Sequence, residues 1–143
     1  MGTTRTPPIY TSPQDVAQAF YQAFEARDID AMMTTWAEDE DIVCVHPGGG
    51  RHVGYEAVRH GFEQLFASGT KLMFRLDQPV MIETVGLAMQ SAVEHLRTGD
   101  EGPRGAAIAT NVLMRTPYGW RFVCHHASVS PPVTDVPQTG PLH

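Results

Sequence analysis

The residue best placed for chemistry is His46, which ends a short apolar segment and is followed by Pro47 and three glycines. Proline has no N–H to continue a β-ladder, and glycine adopts backbone conformations closed to other residues, so regular structure should stop here. We therefore expect a strand at Ile42–His46 that ends with the histidine facing a cavity. A neutral imidazole with a pKa of about 6.5 can abstract a proton beside a carbonyl group or activate water near neutral pH. The competing interpretation is that His46 bonds the loop amides, caps the strand and does no chemistry.

A second candidate is found near the C-terminus, in the apolar segment Trp120–Ser128. Side chains alternate between the two faces of a strand, so Phe122 should share a face with His126. Arg121 and His125 should lie on the opposite face. Because an arginine should avoid a core, we place His126 on the cavity side and His125 outside or at a dimer contact. His126 is then either a second acid or base, or a core histidine that bonds backbone groups.

A metal site is a further chemical possibility. His46, His126 and an acidic residue would suit zinc or iron. The acidic turn Asp39–Asp41 has no companion ligands at a recognisable spacing, and adjacent carboxylates are most often a solvated loop. We therefore expect neither a metal nor a cofactor.

Helices should precede and flank the His46 strand. Ser12 and Pro13 form a good helix start, because serine caps and proline is favoured at the first helical position. Asp28 can cap a second, short helix. A third helix is predicted from Gly54 to about Ser68 by apolar residues at helical spacing.

The apolar positions of these helices carry rings. The candidate ligand-lining residues are Phe20, Trp36, Tyr55 and Phe62, together with Phe122 of the last strand. Core packing is the competing interpretation for Phe20, Trp36 and Tyr55. It is the preferred one for Trp36, whereas both remain open for Tyr55.

The chain from Lys71 onward is typical of a β-sheet, with apolar and β-branched segments separated by turn residues. Glycine and proline in the last two breaks predict hairpins and an antiparallel meander of the final three strands. The predicted strands are 72–76, 80–82, 87–96, 106–115 and 120–128.

Helices followed by a long antiparallel sheet predict an α+β fold with the helices gathered on one face of the sheet. A strongly bent sheet closed by helices encloses a conical cavity, which is the default site for a small molecule. We expect an irregular arm at 1–11, a single domain at 12–130 and a proline-rich tail at 131–143.

Composition excludes several classes of function. The chain has 143 residues, 42% of them hydrophobic, which suits one domain with a substantial core. The net charge is −6 and the ten Lys and Arg are scattered, so we expect no nucleic-acid partner and no membrane partner. No apolar run approaches a membrane span of about 20 residues, and the N-terminus lacks a signal-peptide core, so we expect a cytoplasmic protein. Cys44 and Cys124 suit small buried hydrophobes in a reducing compartment.

Several segments occur in a recognisable order: Phe20–Met32, Trp36–Asp39, His46–Gly49, the Gly54 helix and Gly119–Ser128. Together they resemble the nuclear transport factor 2-like superfamily, and most closely its SnoaL-like branch, over about residues 13–130. The resemblance implies a cone-shaped barrel of a strongly bent, mostly antiparallel sheet with three N-terminal helices packed on its concave face. It also implies a pocket for a small apolar ligand and a homodimer formed through the outer face of the sheet.

The ketosteroid isomerases of this superfamily extend the resemblance to single residues. Their general base precedes the proline at the end of this strand, where this chain has His46. Their oxyanion-hole acid corresponds to Asn111, counted back from the Gly119 turn, and their oxyanion-hole tyrosine to Phe20. Phenylalanine cannot donate a hydrogen bond, and an amide donates more weakly than a neutral carboxylic acid. The resemblance thus implies that His46 acts as base and that Asn111 polarises a carbonyl or positions water. Tyr21 points about 100° away along the helix and is a poor substitute donor.

Three functions of different classes remain open. The first is a small cofactor-free isomerase, cyclase or hydratase that acts on a small apolar carbonyl compound with His46 as general base. The second is a non-catalytic protein that binds a small apolar ligand, which the missing tyrosine donor supports. The third is an association module for dimerisation, which a cavity filled by the protein's own side chains would favour.

Overall fold

The computed structural model of the chain describes residues 6–69, 71–99 and 104–131. Its elements are, in chain order, α1 Pro13–Ala26, α2 Ile29–Met33, β1 Val43–Val45, β2 Arg51–Val53, α3 Tyr55–Ala67, β3 Leu72–Glu83, β4 Leu87–Thr98, β5 Arg104–Thr116 and β6 Gly119–Val129. The strands form one sheet in the order β2-β1-β6-β5-β4-β3. All neighbouring pairs are antiparallel except β1 and β6. The predicted α+β fold with a mostly antiparallel sheet is confirmed.

The predicted helix starts are confirmed. The Ser12 hydroxyl accepts a hydrogen bond of 3.1 Å from the Asp15 amide at the start of α1. Asp28 accepts one of 3.1 Å from the Ala31 amide at the start of α2. Between them, Arg27 ends α1 in the left-handed conformation, with φ at 53°. These local signals suffice because each cap is made within three residues of the capping side chain.

The edge of the sheet differs from the prediction. Residues 72–76 and 80–82 belong to one strand, β3, and not to two. The turn-like residues between them produce an irregularity, with a register shift between Asp77 and Val80 and a positive φ at Gln78. Because β3 is an edge strand, Pro79 can lack its N–H without breaking the ladder to β4. Strand β2 was not predicted, since it lies in the segment interpreted as a glycine loop.

A bulge in β6 reverses the predicted placement of two histidines. Val123 has no partner on β5, because the register shifts between Val112 and Leu113. One extra residue turns the following side chains to the opposite face. His125 is therefore buried, at 2% exposure, and His126 is exposed. The placement of His126 on the cavity side is wrong.

The premise behind that placement, that Arg121 avoids the core, is also wrong. Arg121 is buried because backbone carbonyls accept its hydrogen bonds, at 2.7 Å from Pro8 and 3.1 Å from Trp120. Its guanidinium carbon lies 5.0 Å from the centre of the Tyr10 ring. Tyr10 in turn bridges to Gly119, at the start of β6. The described part of the predicted arm is thus fixed against this strand. The predicted tail lies outside the described residues except for Pro131.

The main core lies between the helices and one face of the sheet, which we call the helix-covered face; the opposite side is the outer face. The rings of Phe20 and Phe122 stack with centroids 4.4 Å apart, and Phe62 lies 6.1 Å from Phe20. Trp36 packs 5.6 Å from Phe122. All four of these candidate ligand-lining residues are fully buried against one another. Their burial fits the core-packing interpretation.

The two cysteines lie on neighbouring strands. Cys44 of β1 is buried, Cys124 of β6 is half-buried, and both are free. Among the described residues, no helix is long and apolar enough to cross a membrane.

Candidate functional site

A cluster of buried polar side chains interrupts the apolar packing on the helix-covered face. Its members are Tyr21 of α1, Gln90 and Glu94 of β4, Asn111 of β5 and His125 of β6, each at most 8% exposed. The strand register places Gln90, Asn111 and His125 side by side across the sheet. Buried polar groups are costly unless they are paired, so such a cluster is a candidate site.

The cluster is joined by a directed chain of hydrogen bonds. His125 Nδ1 lies 2.6 Å from Asn111 Oδ1 and must donate to it, since an amide oxygen only accepts. Asn111 Nδ2 donates to Gln90 Oε1 and to the Tyr21 hydroxyl, both at 3.1 Å. The Tyr21 hydroxyl donates to Glu94 Oε2 at 2.6 Å. From His125 to Glu94, the donors therefore all point towards the carboxylate.

These hydrogen bonds change the role expected of Asn111. Both hydrogens of its side-chain amide are used within the protein, one by Gln90 and one by Tyr21. The amide has no hydrogen left to polarise a substrate carbonyl. Asn111 is instead placed to orient the Tyr21 hydroxyl.

Tyr21 donates its one hydroxyl hydrogen to Glu94, so the expectation that it is a poor substitute donor to a ligand stays a prediction. Helix α1 lies against the sheet so that two adjacent sides of it face strands. Phe20 stacks on Phe122 of β6, while Tyr21, one position along, reaches Glu94 of β4. Successive residues of a helix point about 100° apart. Phe20 and Tyr21 therefore contact different strands, but both side chains face the sheet.

The electrostatics of the cluster centre on Glu94. Burial raises the pKa of this carboxyl to about 7, although the hydrogen bond from Tyr21 opposes the rise. Burial, followed by the charge of Glu94, raises the pKa of Tyr21 in turn. Glu94 can therefore take up and release a proton near neutral pH, while Tyr21 stays a hydrogen-bond donor.

His46 follows the end of β1 and is half-buried against rings. Its ring centre lies 4.9 Å from that of Phe62 and 5.9 Å from that of His125, and its Nε2 lies 3.5 Å from Cys44 Sγ. Burial, with a smaller contribution from His52, lowers the pKa of His46 to about 4. The imidazole is therefore neutral at pH 7.

The neighbouring His125 is neutral for the same reason. Burial lowers its pKa to about 3, and the nearby His46 and His126 add to the effect. A neutral His125 with its proton on Nδ1 is the form that the hydrogen bond to Asn111 requires.

The cluster lies behind a rim of half-buried apolar side chains from α3 and β3. This apolar rim consists of Phe66, Leu72, Phe74, Leu76 and Met81. The Phe74 ring lies 5.6 Å from that of Tyr21, and Leu76 is the register partner of Glu94.

Among the described residues, two cavities can be placed outside this cluster. The larger, of about 650 Å³, is bounded by α2, α3 and the β5–β6 hairpin, and is lined by Trp36 and half-buried Tyr55. The smaller, of about 400 Å³, lies among β3, β4 and β5. Neither is lined by Glu94 or Asn111, so Tyr55 lies apart from the polar cluster. Over the described ranges, no group of three or more His, Cys, Asp or Glu is placed to hold a metal ion.

Sequence reasoning missed four members of the cluster: Tyr21, Gln90, Glu94 and His125. One signal could have found Glu94. It shares its strand parity with Ala88 and Ala92, both small residues typical of a buried face, so a charged side chain there is unusual. The pattern therefore indicates that the Glu94 carboxylate lies on the helix-covered face of the sheet.

The comparisons with known proteins agree with this architecture. The SnoaL-like domain family matches residues 14–133. A comparison with curated proteins gives no match.

Solved structures, by contrast, include several similar chains, and these agree with the family match. A provisionally assigned calcium/calmodulin-dependent protein kinase type II association domain from Thiobacillus denitrificans is 37% identical, covering 87% of this chain and 99% of that one, with a TM-score of 0.78. A provisionally assigned dehydratase of the NTF2-like family from Streptomyces avermitilis is 28% identical over 82% and 92% of the two chains, with a TM-score of 0.74. An NTF2-like protein of unknown function from Pseudomonas putida is 23% identical over 85% and 86%, also with a TM-score of 0.74. With the family match over most of its length, the chain belongs to the SnoaL-like domain family of the NTF2-like superfamily.

Proposed function

We propose that the protein is a small cofactor-free acid–base catalyst that acts on a small apolar carbonyl compound, and that Glu94 carries the proton. The observation that carries this proposal is the buried Glu94 carboxyl, whose pKa is raised to about 7 at the end of a directed hydrogen-bond chain. A general acid or base works best when its pKa lies near the working pH. The apolar rim beside it suits a substrate with an apolar body.

Glu94 fits the role of base better than His46, the residue expected from the sequence. With a pKa lowered to about 4, His46 holds a proton only weakly at pH 7. A neutral imidazole can still donate a hydrogen bond to a substrate oxygen. We therefore assign His46 to substrate orientation and Glu94 to proton transfer.

The reaction follows from these groups. The Glu94 carboxylate takes a proton from the carbon beside the carbonyl group, which leaves an enolate. Return of the proton to another carbon completes an isomerisation. Departure of a β-hydroxyl group, which leaves as water with that proton, completes a dehydration. The similarity to the Streptomyces avermitilis protein supports the second outcome.

Proton exchange tests the proposal without knowledge of the natural substrate. We would incubate the full chain with 2-tetralone and related enolisable ketones in D₂O and follow loss of the α-proton signal by NMR. Glu94→Gln keeps an acceptor for Tyr21 but cannot take a proton, so the exchange rate should fall about 100-fold or more. Exposed His60 provides the control His60→Gln, which should exchange like the wild type. Unchanged exchange in Glu94→Gln would refute the proposal, and loss of exchange only in His46→Ala would return the role of base to His46.

A second candidate function, assembly into a homodimer, is supported by the outer face of the sheet. One end of this face exposes an apolar patch of Val80, Ile82, Leu87 and Met114, which are 37% to 59% exposed. Exposed apolar patches commonly mark protein–protein contacts. The 37% identity to the Thiobacillus denitrificans association domain supports the same function, as does the filling of the core by Phe20, Phe62 and Phe122.

A further inference from the structure

The outer face of the sheet carries a cationic cavity at the end opposite the apolar patch. This cavity, of about 400 Å³, is lined by the basic residues Arg75, His95, Arg97 and Arg104, and also by Met73, Phe74, Leu96 and Gly105. In the strand register, Arg97 stands between Met73 and Arg104, and Arg75 stands opposite His95. Register partners project to the same face, so the four basic side chains converge on one side of three strands.

Among the residues that the structure describes, the positive charge of this cavity is only partly balanced. Over the described ranges, the one carboxylate at ion-pair distance from these groups is Asp77, which lies 3.2 Å from His95. Arg75, Arg97 and Arg104 form no ion pair with any described residue. The Nε atom of Arg97 is also buried without a hydrogen-bond partner.

This arrangement is costly for the protein alone. Arg97 and Arg104 are direct register partners on neighbouring strands, and like charges in that position are destabilising. A buried donor that lacks a partner adds the cost of its desolvation. Both costs fall when an anion with several acceptor oxygens enters.

Arginine is well suited to such a ligand. Its planar guanidinium donates paired hydrogen bonds that match the oxygens of a carboxylate or a phosphate. The cavity volume lies within the range of about 300 to 1,000 Å³ found for small-molecule sites. The apolar side of Met73 leaves room for an organic group beside the charge.

We propose that this cavity binds a small organic oxyanion, a phosphomonoester or a carboxylate, through Arg97 and Arg104 with Arg75 at its margin. The cavity contains none of the residues of the Glu94 cluster, although Phe74 of the apolar rim also lines it. It is also separate from the apolar patch, because Leu87 and Arg97 are the ends of a stretch of β4 about 33 Å long.

Calorimetric titration of the full chain tests the proposal. The probes are phenyl phosphate, benzoate and the neutral benzyl alcohol; the first two distinguish phosphate from carboxylate, and the third should not bind. Arg97→Gln and Arg104→Gln should each weaken binding of the preferred anion about tenfold. Arg51→Gln, which removes an exposed arginine of β2, is the control for net charge and should bind within about twofold of the wild type.

Thermal unfolding separates a binding role from a structural one. Without ligand, Arg97→Gln should melt at or above the wild-type temperature, because it removes a repulsive pair and an unpaired buried donor. The preferred anion should raise the melting temperature of the wild type but not that of Arg97→Gln. The proposal is overturned by absence of binding of both anions at millimolar concentration, by wild-type affinity in Arg97→Gln, or by an equal loss in Arg51→Gln.

Discussion

The Tyr21 hydroxyl donates a hydrogen bond of 2.6 Å to Glu94 Oε2, which joins α1 to β4 behind the apolar rim. The same hydroxyl accepts a hydrogen bond from Asn111 Nδ2 at 3.1 Å. One phenol thus connects the amide of β5 to the carboxylate of β4. The contribution of this hydroxyl to the stability of the fold can be measured by substitution of Tyr21.

Replacing Tyr21 by phenylalanine should destabilise the protein. Tyr21→Phe removes the donor to Glu94 and leaves one hydrogen of Asn111 unpaired, which should cost about 1 to 3 kcal/mol of unfolding free energy. It should also raise the pKa of Glu94 further, because the hydrogen bond from Tyr21 holds that pKa down. Urea denaturation measures the first effect. Tyr118→Phe, at a residue 67% exposed, is the control and should change little; equal stability of the two variants would contradict the prediction.

Glu94 should make stability depend on pH in a defined direction. Its pKa rises from an ordinary value of 4.5 to about 7 on folding, so the folded protein binds this proton more tightly than the unfolded chain. The stabilisation is full below pH 4.5 and is lost as the pH rises through 7, by about 3 kcal/mol in total. The glutamine of Glu94→Gln does not titrate, so this variant lacks this pH dependence.

The difference in unfolding free energy between wild type and Glu94→Gln isolates this effect. The unfolding free energy of the wild type should fall relative to that of Glu94→Gln as the pH rises from 4.5 to 8. The contributions of His46 and His125 are common to both proteins and cancel in the subtraction. Those histidines act in the other direction, because their lowered pKa values remove stability as the pH falls from 6.5 towards about 4 for His46 and about 3 for His125. Parallel curves for the two proteins would show that Glu94 titrates normally.

Gly119→Ala should loosen the contact between the arm and β6. A Cβ at this position would lie against the backbone oxygen of Tyr10, and φ is +92°, a conformation that alanine rarely adopts. We expect a loss of about 1 to 3 kcal/mol in unfolding free energy. Gly86→Ala is a matched control, since a Cβ there meets nothing within 4 Å and its φ is not positive. Similar melting temperatures for both variants would contradict the assigned role of Gly119.

A lysine in the apolar patch should disrupt the proposed dimer. Ile82 is 59% exposed on the outer face, and burying a charge there in an interface would be unfavourable. Light scattering after size-exclusion chromatography should give a dimer for the wild type and a monomer for Ile82→Lys. Val85→Lys, in the β3–β4 turn at 84% exposure, should remain dimeric. A monomeric wild type at high micromolar concentration would exclude assembly through this face.

The features predicted correctly from sequence are those that depend on neighbours in the chain. Ser12 and Asp28 cap helices through bonds to amides three residues away, and the hairpin turns of the meander are equally local. The edge strand β3 was divided wrongly because a register shift between Asp77 and Val80 replaces the expected turn. Whether residues 72–82 form one strand or two is decided by their pairing with β4, which the sequence of this segment alone does not specify.

The candidate site could be predicted only in part for the same reason. The resemblance pointed to Asn111, which lies on the helix-covered face, but the hydrogen-bond partners of its amide, Gln90 and Tyr21, are distant in sequence. Tyr21 enters the cluster because of how α1 lies on the sheet, an orientation that helical periodicity does not specify. Glu94 acquires its raised pKa from burial, a property of the assembled core.

The bulge at Val123 has a consequence for comparing this chain with its relatives. A relative whose last strand lacks the extra residue aligns with His125 only if a one-residue gap is placed at position 123. Without that gap, the exposed His126 is matched to a buried position, and an alignment column would mix residues from two sides of the sheet. Evolutionary comparison of the last strand therefore has to follow the three-dimensional superposition.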